Sequence, residues 1–317
     1  MGDELLEVVI ARREEQAAGI VVLDLVPAAG GALPGFEAGA HVDVHVGPGL
    51  VRQYSLCGSP ADASRYRLGI LLDPASRGGS AAIHAGFRAG ERLRIGRPRN
   101  LFPLADGATR SVLVGGGIGI TPMLAMAHAL DRAGAEFELH YCARERGRAA
   151  FLDELAAAPF QGRTRLHLSA ETGRLVPERD LPPPAPGIHL YVCGPAGFME
   201  EVIAGARRLG YPEPQLHREY FQTEVDTSGD AFEVELAQSG RTVAVAAGQS
   251  IVAALAGAGV AVEVSCEQGI CGTCLCNVLE GEPDHRDEYL TEEEKAAGDQ
   301  ILLCCSRARS KRLVLDL

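Results

Sequence analysis

Apolar and polar residues alternate along six short segments in the first 103 residues of the chain. This period-2 pattern is typical of strands with one buried face, and Gly, Pro and Asp residues separate the segments. The predicted strands are residues 5–11, 20–25, 41–46, 51–57, 65–71 and 92–95, with a helix at 81–87. Six such strands predict an antiparallel barrel domain over residues 1–105.

The pattern changes from residue 110 onwards, where short apolar runs alternate with longer helical patterns. The predicted strands are residues 111–114, 137–142, 164–169 and 188–193, and the predicted helices are 122–133, 149–157 and 195–209. Alternating strands and helices predict a parallel sheet covered on both faces. We therefore expect a Rossmann-like α/β domain over residues 106–224.

A polar stretch at residues 222–230 indicates a linker to a third domain, residues 231–317. Segments 232–237 and 242–246 predict a hairpin around Ser239 and Gly240. Ser250 is placed to cap a helix at 251–256. A further helix at 291–297 and a closing strand at 312–315 complete this multi-domain α/β and β chain.

The composition is that of a globular protein, because 46% of the 317 residues are hydrophobic and 23% are charged. A net charge of -12 disfavours a nucleic-acid partner, since an acidic surface repels phosphate. The longest apolar run, residues 251–262, is too short to span a bilayer, and the acidic start lacks the features of a signal peptide. We expect a cytoplasmic protein with no membrane partner.

Six of the nine cysteines lie in the last 52 residues. Cys266, Cys271 and Cys274 have the spacing C-x4-C-x2-C, and Cys304 follows near the end of the chain. This is the plant-type 2Fe-2S spacing, and a tetrahedral zinc site is the alternative for the same four thiolates. Cys276 and Cys305 are predicted to be small core residues.

A glycine-rich turn, Gly115 to Gly119, connects a predicted strand to a predicted helix. Thr121 is a candidate N-cap and Pro122 fits the first helical turn, so free N–H groups could face a pyrophosphate. A second turn of this kind is Cys193-Gly194-Pro195, and two such turns at parallel strand ends form a crevice. A plain strand–helix turn is the alternative.

The strand end near Arg144 also carries Glu145, Arg146 and Arg148, so these residues alone permit NADPH as well as NADH.

Two short motifs in the barrel region are suited to a phosphate monoester. The first is Arg52-Gln53-Tyr54-Ser55 on a predicted strand, and the second is Arg77-Gly78-Gly79-Ser80 at a helix start. A surface arginine and an ordinary helix cap are the alternative interpretations.

In their joint order, these motifs resemble the phthalate dioxygenase reductase family over essentially the whole chain. The resemblance implies a six-stranded antiparallel flavin-binding barrel, a nicotinamide-binding domain of ferredoxin reductase type and a β-grasp 2Fe-2S domain. It also implies three cofactors: FMN, NADH and a 2Fe-2S cluster.

The resemblance further implies roles for individual residues. The implied catalytic residues are Ser55, Thr121 and Cys193, and burial as a small hydrophobic residue is the alternative for Cys193. The implied cofactor-binding residues are Arg52, Tyr54, Ser55, Arg77, Gly78, Gly79, Ser80, Gly116, Gly117, Thr121, Pro122, Arg144, Cys193, Gly194, Pro195 and Phe221. Arg52 and Ser80 would hold the FMN phosphate, and Phe221 would cover the flavin. The implied cluster ligands are Cys266, Cys271, Cys274 and Cys304.

The function implied is that of a reductase for a terminal Rieske-type oxygenase, such as an aromatic-ring oxygenase or O-demethylase. NADH would deliver a hydride to FMN, and single electrons would leave through the cluster. A reductase for a haem monooxygenase and a non-catalytic redox sensor are the alternatives. We expect a monomer. Residues 231–317 hold 14 acidic and 7 basic residues, which suggests a partner with a basic docking face; a solvated acidic surface is the alternative.

Overall fold

The computed structural model describes residues 5–74, 78–222 and 225–317. The chain forms two compact units, Met1–Phe221 and Gln222–Leu317. Within the described residues, no helix has the length and apolar character needed to cross a membrane. The boundary after Phe221 lies close to the predicted linker. The division of the first unit at residues 105 and 106 stays a prediction.

Antiparallel strands form a barrel-like sheet at the start of the first unit. They are β1 (Leu6–Ala17), β2 (Ile20–Pro27), β3 (Ala40–Gly47), β4 (Leu50–Ser55), β5 (Tyr66–Leu71), β6 (Arg92–Ile95) and β7 (Arg99–Asn100). Their order is β4-β3-β6-β1-β2-β5, with β7 paired to β3. A bridge between Leu56 and Leu68 joins the two ends of this order. Helix α1 (Gly79–Gly86) follows β5.

The antiparallel prediction is confirmed, with two differences in detail. The sheet has seven strands, because the two-residue β7 is too short to show a pattern in sequence. Strand β1 continues to Ala17, well beyond the predicted residue 11. Its second half is charged, and it is kept in the sheet by pairing with β2, as in the pair Glu14↔Val22.

A parallel sheet forms the rest of the first unit. Its strands are β8 (Arg110–Gly116), β9 (Glu136–Ala143), β10 (Thr164–Leu168), β11 (Ile188–Cys193) and β12 (Leu216–Glu219), in the order β10-β9-β8-β11-β12. The helices are α2 (Ile120–Arg132), α3 (Leu152–Ala157), α4 (Pro177–Asp180) and α5 (Ala196–Leu209). All four strand pairs are parallel, which confirms the Rossmann-like prediction.

Two features of the parallel sheet differ from the predictions made from the sequence. Strand β12 was not predicted, because its four residues include the polar run His217-Arg218-Glu219. Thr121 is not the N-cap of α2. That position belongs to Gly119, and the Thr121 hydroxyl donates a hydrogen bond to the Ile118 carbonyl at 2.9 Å.

The second unit is a five-stranded mixed sheet with one helix against each of its two edge strands. Its elements are β13 (Phe232–Leu236), β14 (Arg241–Val245), α6 (Ile251–Gly257), β15 (Leu275–Glu280), β16 (Pro283–Asp284), α7 (Glu292–Ala297), β17 (Gln300–Leu302), β18 (Arg307–Ala308) and β19 (Arg312–Leu315). The sheet order is β14-β13-β19-β15-β17, and β16 pairs with β18.

The hairpin, both helices and the closing strand of this unit were predicted from sequence. Ser250 accepts a hydrogen bond from the Ala253 N–H at 3.2 Å, which confirms it as a cap. Thr291 and Glu294 form a capping box at the start of α7. The short strands β16, β17 and β18 were missed because none is longer than three residues.

Candidate functional site

The start of helix α1 lies beside Arg52 of strand β4. A Cβ on Gly79 would lie 2.4 Å from Arg52 Cγ and 2.9 Å from its Nε, so only glycine lets the arginine cross the first turn. Gly78 has φ 93° and supplies no side-chain cap. A helix start next to a guanidinium can hold a phosphate. Arg77, the remaining residue of this motif, lies outside the described residues.

The other predicted flavin residues of the barrel are on β4 and in α1. Ser80 Oγ accepts a hydrogen bond from the Asp73 N–H at 3.2 Å. Burial raises the pKa of Tyr54 to about 12, and nearby Arg52 acts in the opposite direction. Because side chains alternate along a strand, Arg52 and Tyr54 share one face of β4 and Ser55 lies on the other.

Ser55 brings the barrel into contact with the parallel sheet. Its hydroxyl donates to Glu219 Oε2 at 3.4 Å, and Cys193 Sγ lies 4.0 Å from the same oxygen. Burial raises the pKa of Glu219 to about 8, while the Ser55 hydrogen bond lowers it. Burial also raises the pKa of the Cys193 thiol well above its ordinary value.

Glu219 is the residue of this cluster that sequence reasoning missed. It ends β12, next to Cys193 at the end of β11, with which it is in register. An acidic residue at the carboxyl end of a parallel strand would have been a usable signal, but the strand itself was not predicted.

The two predicted glycine turns meet at the carboxyl edge of the parallel sheet. A Cβ on Gly119 would lie 2.2 Å from the Cys193 carbonyl oxygen, so the backbones of the two turns touch. Gly116 faces the Phe198 ring with no space for a side chain. Gly117 has φ 55° and an open side toward which a ligand can approach. This arrangement fits the predicted pyrophosphate crevice.

The other residues predicted for the nucleotide lie around this crevice. Pro122 is buried in the first turn of α2, and Gly194 and Pro195 lead into α5. Thr121 is buried, and its methyl group faces the barrel strand β5 at Gly69. These positions agree with a nucleotide site bordering the barrel.

Arg144 directly follows β9 at the edge where a nucleotide ribose is expected. Its carbonyl accepts a hydrogen bond from the Ala170 N–H at 2.9 Å. The Arg146 N–H donates to Glu171 Oε1 at 2.7 Å, so an acidic side chain joins the arginines at this edge.

Phe221 ends the first unit and is half-buried. Its ring packs against the core cluster that includes Cys57, Phe102 and Cys193. Phe221, the residue predicted to cover the flavin, therefore packs against the apolar cluster to which Cys193 belongs.

The four predicted cluster ligands are buried together in the second unit. Side-chain contacts link Cys266 with Cys271 and Cys304, and Cys304 with Cys274. These contacts hold the pKa of Cys266 well below its ordinary value and that of Cys304 well above it.

The loop around these thiols is shaped by two glycines with positive φ. A Cβ on Gly269 (φ 75°) would lie 2.5 Å from Cys305 Sγ, and one on Gly272 (φ 73°) would lie 2.3 Å from the Tyr289 ring. The Gly269 N–H donates to Cys304 Sγ at 3.2 Å. N–H groups directed at sulfur are typical of iron–sulfur sites.

Among the described residues, no group of three or more His, Cys, Asp or Glu side chains is placed to hold a metal ion. A 2Fe-2S cluster differs from a single-ion site because its four thiolates are divided between two irons. The remaining cysteines of this unit, Cys276 and Cys305, are buried in its core, as predicted.

Comparisons with known proteins find similar chains. Residues 234–309 match the family described as the 2Fe-2S iron-sulfur cluster binding domain. Vanillate O-demethylase oxidoreductase of Pseudomonas sp. (strain HR199) is 50% identical over an alignment of 317 positions, and the alignment covers 99% of this chain and 100% of that protein.

Solved structures show the same similarity over both units. Phthalate dioxygenase reductase, a modular structure for electron transfer from pyridine nucleotides to 2Fe-2S, has a TM-score of 0.76 and 37% identity. The match covers 99% of this chain and 98% of that one. An intact type IV self-sufficient cytochrome P-450 monooxygenase has a TM-score of 0.87 and 39% identity, and this chain spans 41% of its length. The chain therefore belongs to the oxidoreductase family that includes vanillate O-demethylase oxidoreductase and phthalate dioxygenase reductase.

Proposed function

We propose that this protein is the NADH-dependent reductase component of a Rieske-type oxygenase or O-demethylase. The main structural support for this function is the contact of Ser55 on the barrel with Glu219 on the parallel sheet, next to Cys193. This contact supports a flavin site and a nicotinamide site that lie against each other in one compact unit. The same chain carries four buried thiols suited to a 2Fe-2S cluster.

When bound, FMN would supply the exchange between hydride and single-electron chemistry with NADH, and a 2Fe-2S cluster would supply one-electron transfer. The protein contributes binding and orientation. Arg52 and the start of α1 at Gly79 and Ser80 hold the phosphate of a mononucleotide, which favours FMN. The turns at Gly117 and Gly194 hold the NADH pyrophosphate, and Arg144 borders its ribose.

Ser55, Cys193 and Thr121 line the place where flavin and nicotinamide meet. At neutral pH Glu219 holds a proton, because burial raises its pKa to about 8. A neutral carboxyl can both donate and accept hydrogen bonds without placing a charge beside the crevice.

A haem monooxygenase is the second candidate acceptor, since the similarity to the cytochrome P-450 monooxygenase structure covers 99% of this chain. The full-length similarity to vanillate O-demethylase oxidoreductase favours the Rieske-type acceptor. In either case the acidic second unit favours a basic docking face, and salt should weaken the interaction.

The test begins with the visible spectrum of the purified protein and identification of the flavin released by heat. Anaerobic NADH should bleach the flavin, and cytochrome c and ferricyanide should both be reduced. In Cys274→Ser, cytochrome c reduction should be lost while ferricyanide reduction remains. A colourless loaded protein, bound zinc, or a flavin that NADH does not bleach would refute the proposal, and release of FAD would refute FMN.

The acceptor is identified by mixing the reduced protein with a purified Rieske-type oxygenase or a purified haem monooxygenase. Faster oxidation by the Rieske protein, slowed by salt, supports the proposal. Faster oxidation by the haem protein selects the second candidate instead.

A further inference from the structure

Gly69 of strand β5 is the point where the barrel rests on the parallel-sheet region. A Cβ at this position would lie 2.8 Å from Thr121 Cγ2 and 3.0 Å from Phe151 Cζ. Gly69 is not in the left-handed region, so its backbone does not itself require glycine. The requirement is steric, because any side chain here would push the two parts of the unit apart.

Phe151 is held in an unfavourable conformation at this contact. It has φ 63° and ψ 13°, in the left-handed region that an aromatic residue rarely adopts. Its N–H donates to Gln16 Oε1 of strand β1 at 3.0 Å, so a barrel side chain fixes the strained residue. Strain of this kind persists only where the surroundings enforce it.

Two further bonds fasten the same segment to the barrel. The Ala18 N–H donates to the Gly147 carbonyl at 2.9 Å. The Arg67 guanidinium of β5 pairs with Glu154 of α3 at 2.6 Å, and both side chains are largely buried. Arg67 and Gly69 lie on the same face of β5, since side chains alternate along a strand.

This contact borders both proposed cofactor positions. Gly69 directly follows Leu68, which is bridged to Leu56, the residue after Ser55. On the other side, Thr121 lies in the first turn of α2, where the nucleotide crevice opens. A displacement at Gly69 is therefore a displacement between the flavin side and the nicotinamide side.

We propose that Gly69 is a positioning residue that sets the distance between flavin and nicotinamide. It acts by seating Thr121 and Phe151 directly on the barrel backbone, and Gln16 keeps Phe151 in place. This inference rests on the proposed function. Hydride transfer needs close approach of one nicotinamide carbon and one flavin nitrogen, and a misplacement of about 1 Å can slow such a step about a hundredfold.

The experiment compares Gly69→Ala with Gly58→Ala in the full-length, cofactor-loaded protein. Gly58 is a matched control, because its Cβ would lie 3.5 Å from the nearest atom, an ordinary contact. Stopped-flow bleaching of the flavin by NADH gives the rate constant at saturation and the apparent dissociation constant separately. We expect the rate constant of Gly69→Ala to fall by about tenfold to a hundredfold. We expect flavin retention and NADH affinity to stay within about twofold, because Gly69 itself binds neither ligand.

A second substitution that restores the rate constant distinguishes a positioning role of Gly69 from general damage to the fold. The double variant Gly69→Ala with Thr121→Ser removes the methyl group that the new Cβ would meet, so it should transfer hydride faster than Gly69→Ala alone. If Gly69→Ala does not fold, Gln16→Ala is measured in its place, and the same selective loss of the rate constant is expected.

Several outcomes would overturn the inference. They are a rate equal to that of Gly58→Ala, a loss confined to NADH affinity, no rescue by the double variant, or an unchanged rate in Gln16→Ala where that variant is used. Failure of the proposed function gives a different result, since NADH would then leave the wild-type flavin unbleached.

Discussion

Replacement of Glu219 by glutamine should change how the stability of the first unit depends on pH. Glu219 is half-buried, with its carboxyl group against Ser55 and Cys193, and burial raises its pKa from 4.5 to about 8. Each pKa unit corresponds to about 1.4 kcal/mol, so ionising the group in the folded protein costs at most about 5 kcal/mol relative to the unfolded chain.

The direction of this pH dependence follows from which state, folded or unfolded, holds the proton. Between pH 4.5 and about 8 the folded protein keeps a proton that the unfolded chain has lost. The stability contributed by this group is therefore complete below pH 4.5 and is lost as the pH rises through about 8. Glutamine cannot ionise, so Glu219→Gln should gain stability relative to the wild type as the pH rises, by up to about 5 kcal/mol.

The assay is thermal unfolding of the flavin-loaded wild type and variant at a series of pH values from acid to alkaline. Glu138→Gln is a control, because its stability relative to the wild type should change with pH in the opposite direction. Burial acts to raise the pKa of Glu138, but His140 and Arg110 outweigh it and the pKa is lowered. A difference between wild type and Glu219→Gln that does not vary with pH would refute the argument.

Three further substitutions test the sites separately. Cys304→Ser should abolish the visible absorption of the cluster while NADH still bleaches the flavin, as seen by spectroscopy. Arg52→Ala should weaken flavin binding by about 1.5–3 kcal/mol, the usual value of a charge-assisted hydrogen bond, in a fluorescence titration. Gly272→Ala should destabilise the second unit by about 1–3 kcal/mol in thermal unfolding, because its Cβ would overlap the Tyr289 ring.

Each of these has a matched control in the same region. Cys276→Ser should keep the cluster absorption, Arg94→Ala on the exposed side of β6 should keep flavin affinity, and Gly257→Ala in α6 has open space for its Cβ. Equal effects in a variant and its control would contradict the assignment of that site.

The sequence predicted the features that depend on neighbours along the chain. Alternation of apolar residues located most strands, because a half-buried strand must alternate. The spacing of Cys266, Cys271 and Cys274 indicated a cluster, since one loop must supply three of its thiolates. The turn at Gly115 to Gly119 was recognisable because a strand, several glycines and a helix follow one another directly.

Tertiary structure alone decided the features that join distant segments. Ser55 and Glu219 are 164 residues apart, and no local sequence pattern predicts that their side chains are in contact. Strand β12 is polar and short, so only its pairing with β11 makes it a strand. Gly69 looks like any glycine in a strand until Thr121 and Phe151 are found against it. Local sequence carries propensity and spacing, whereas close packing between remote elements exists only once the whole chain has folded.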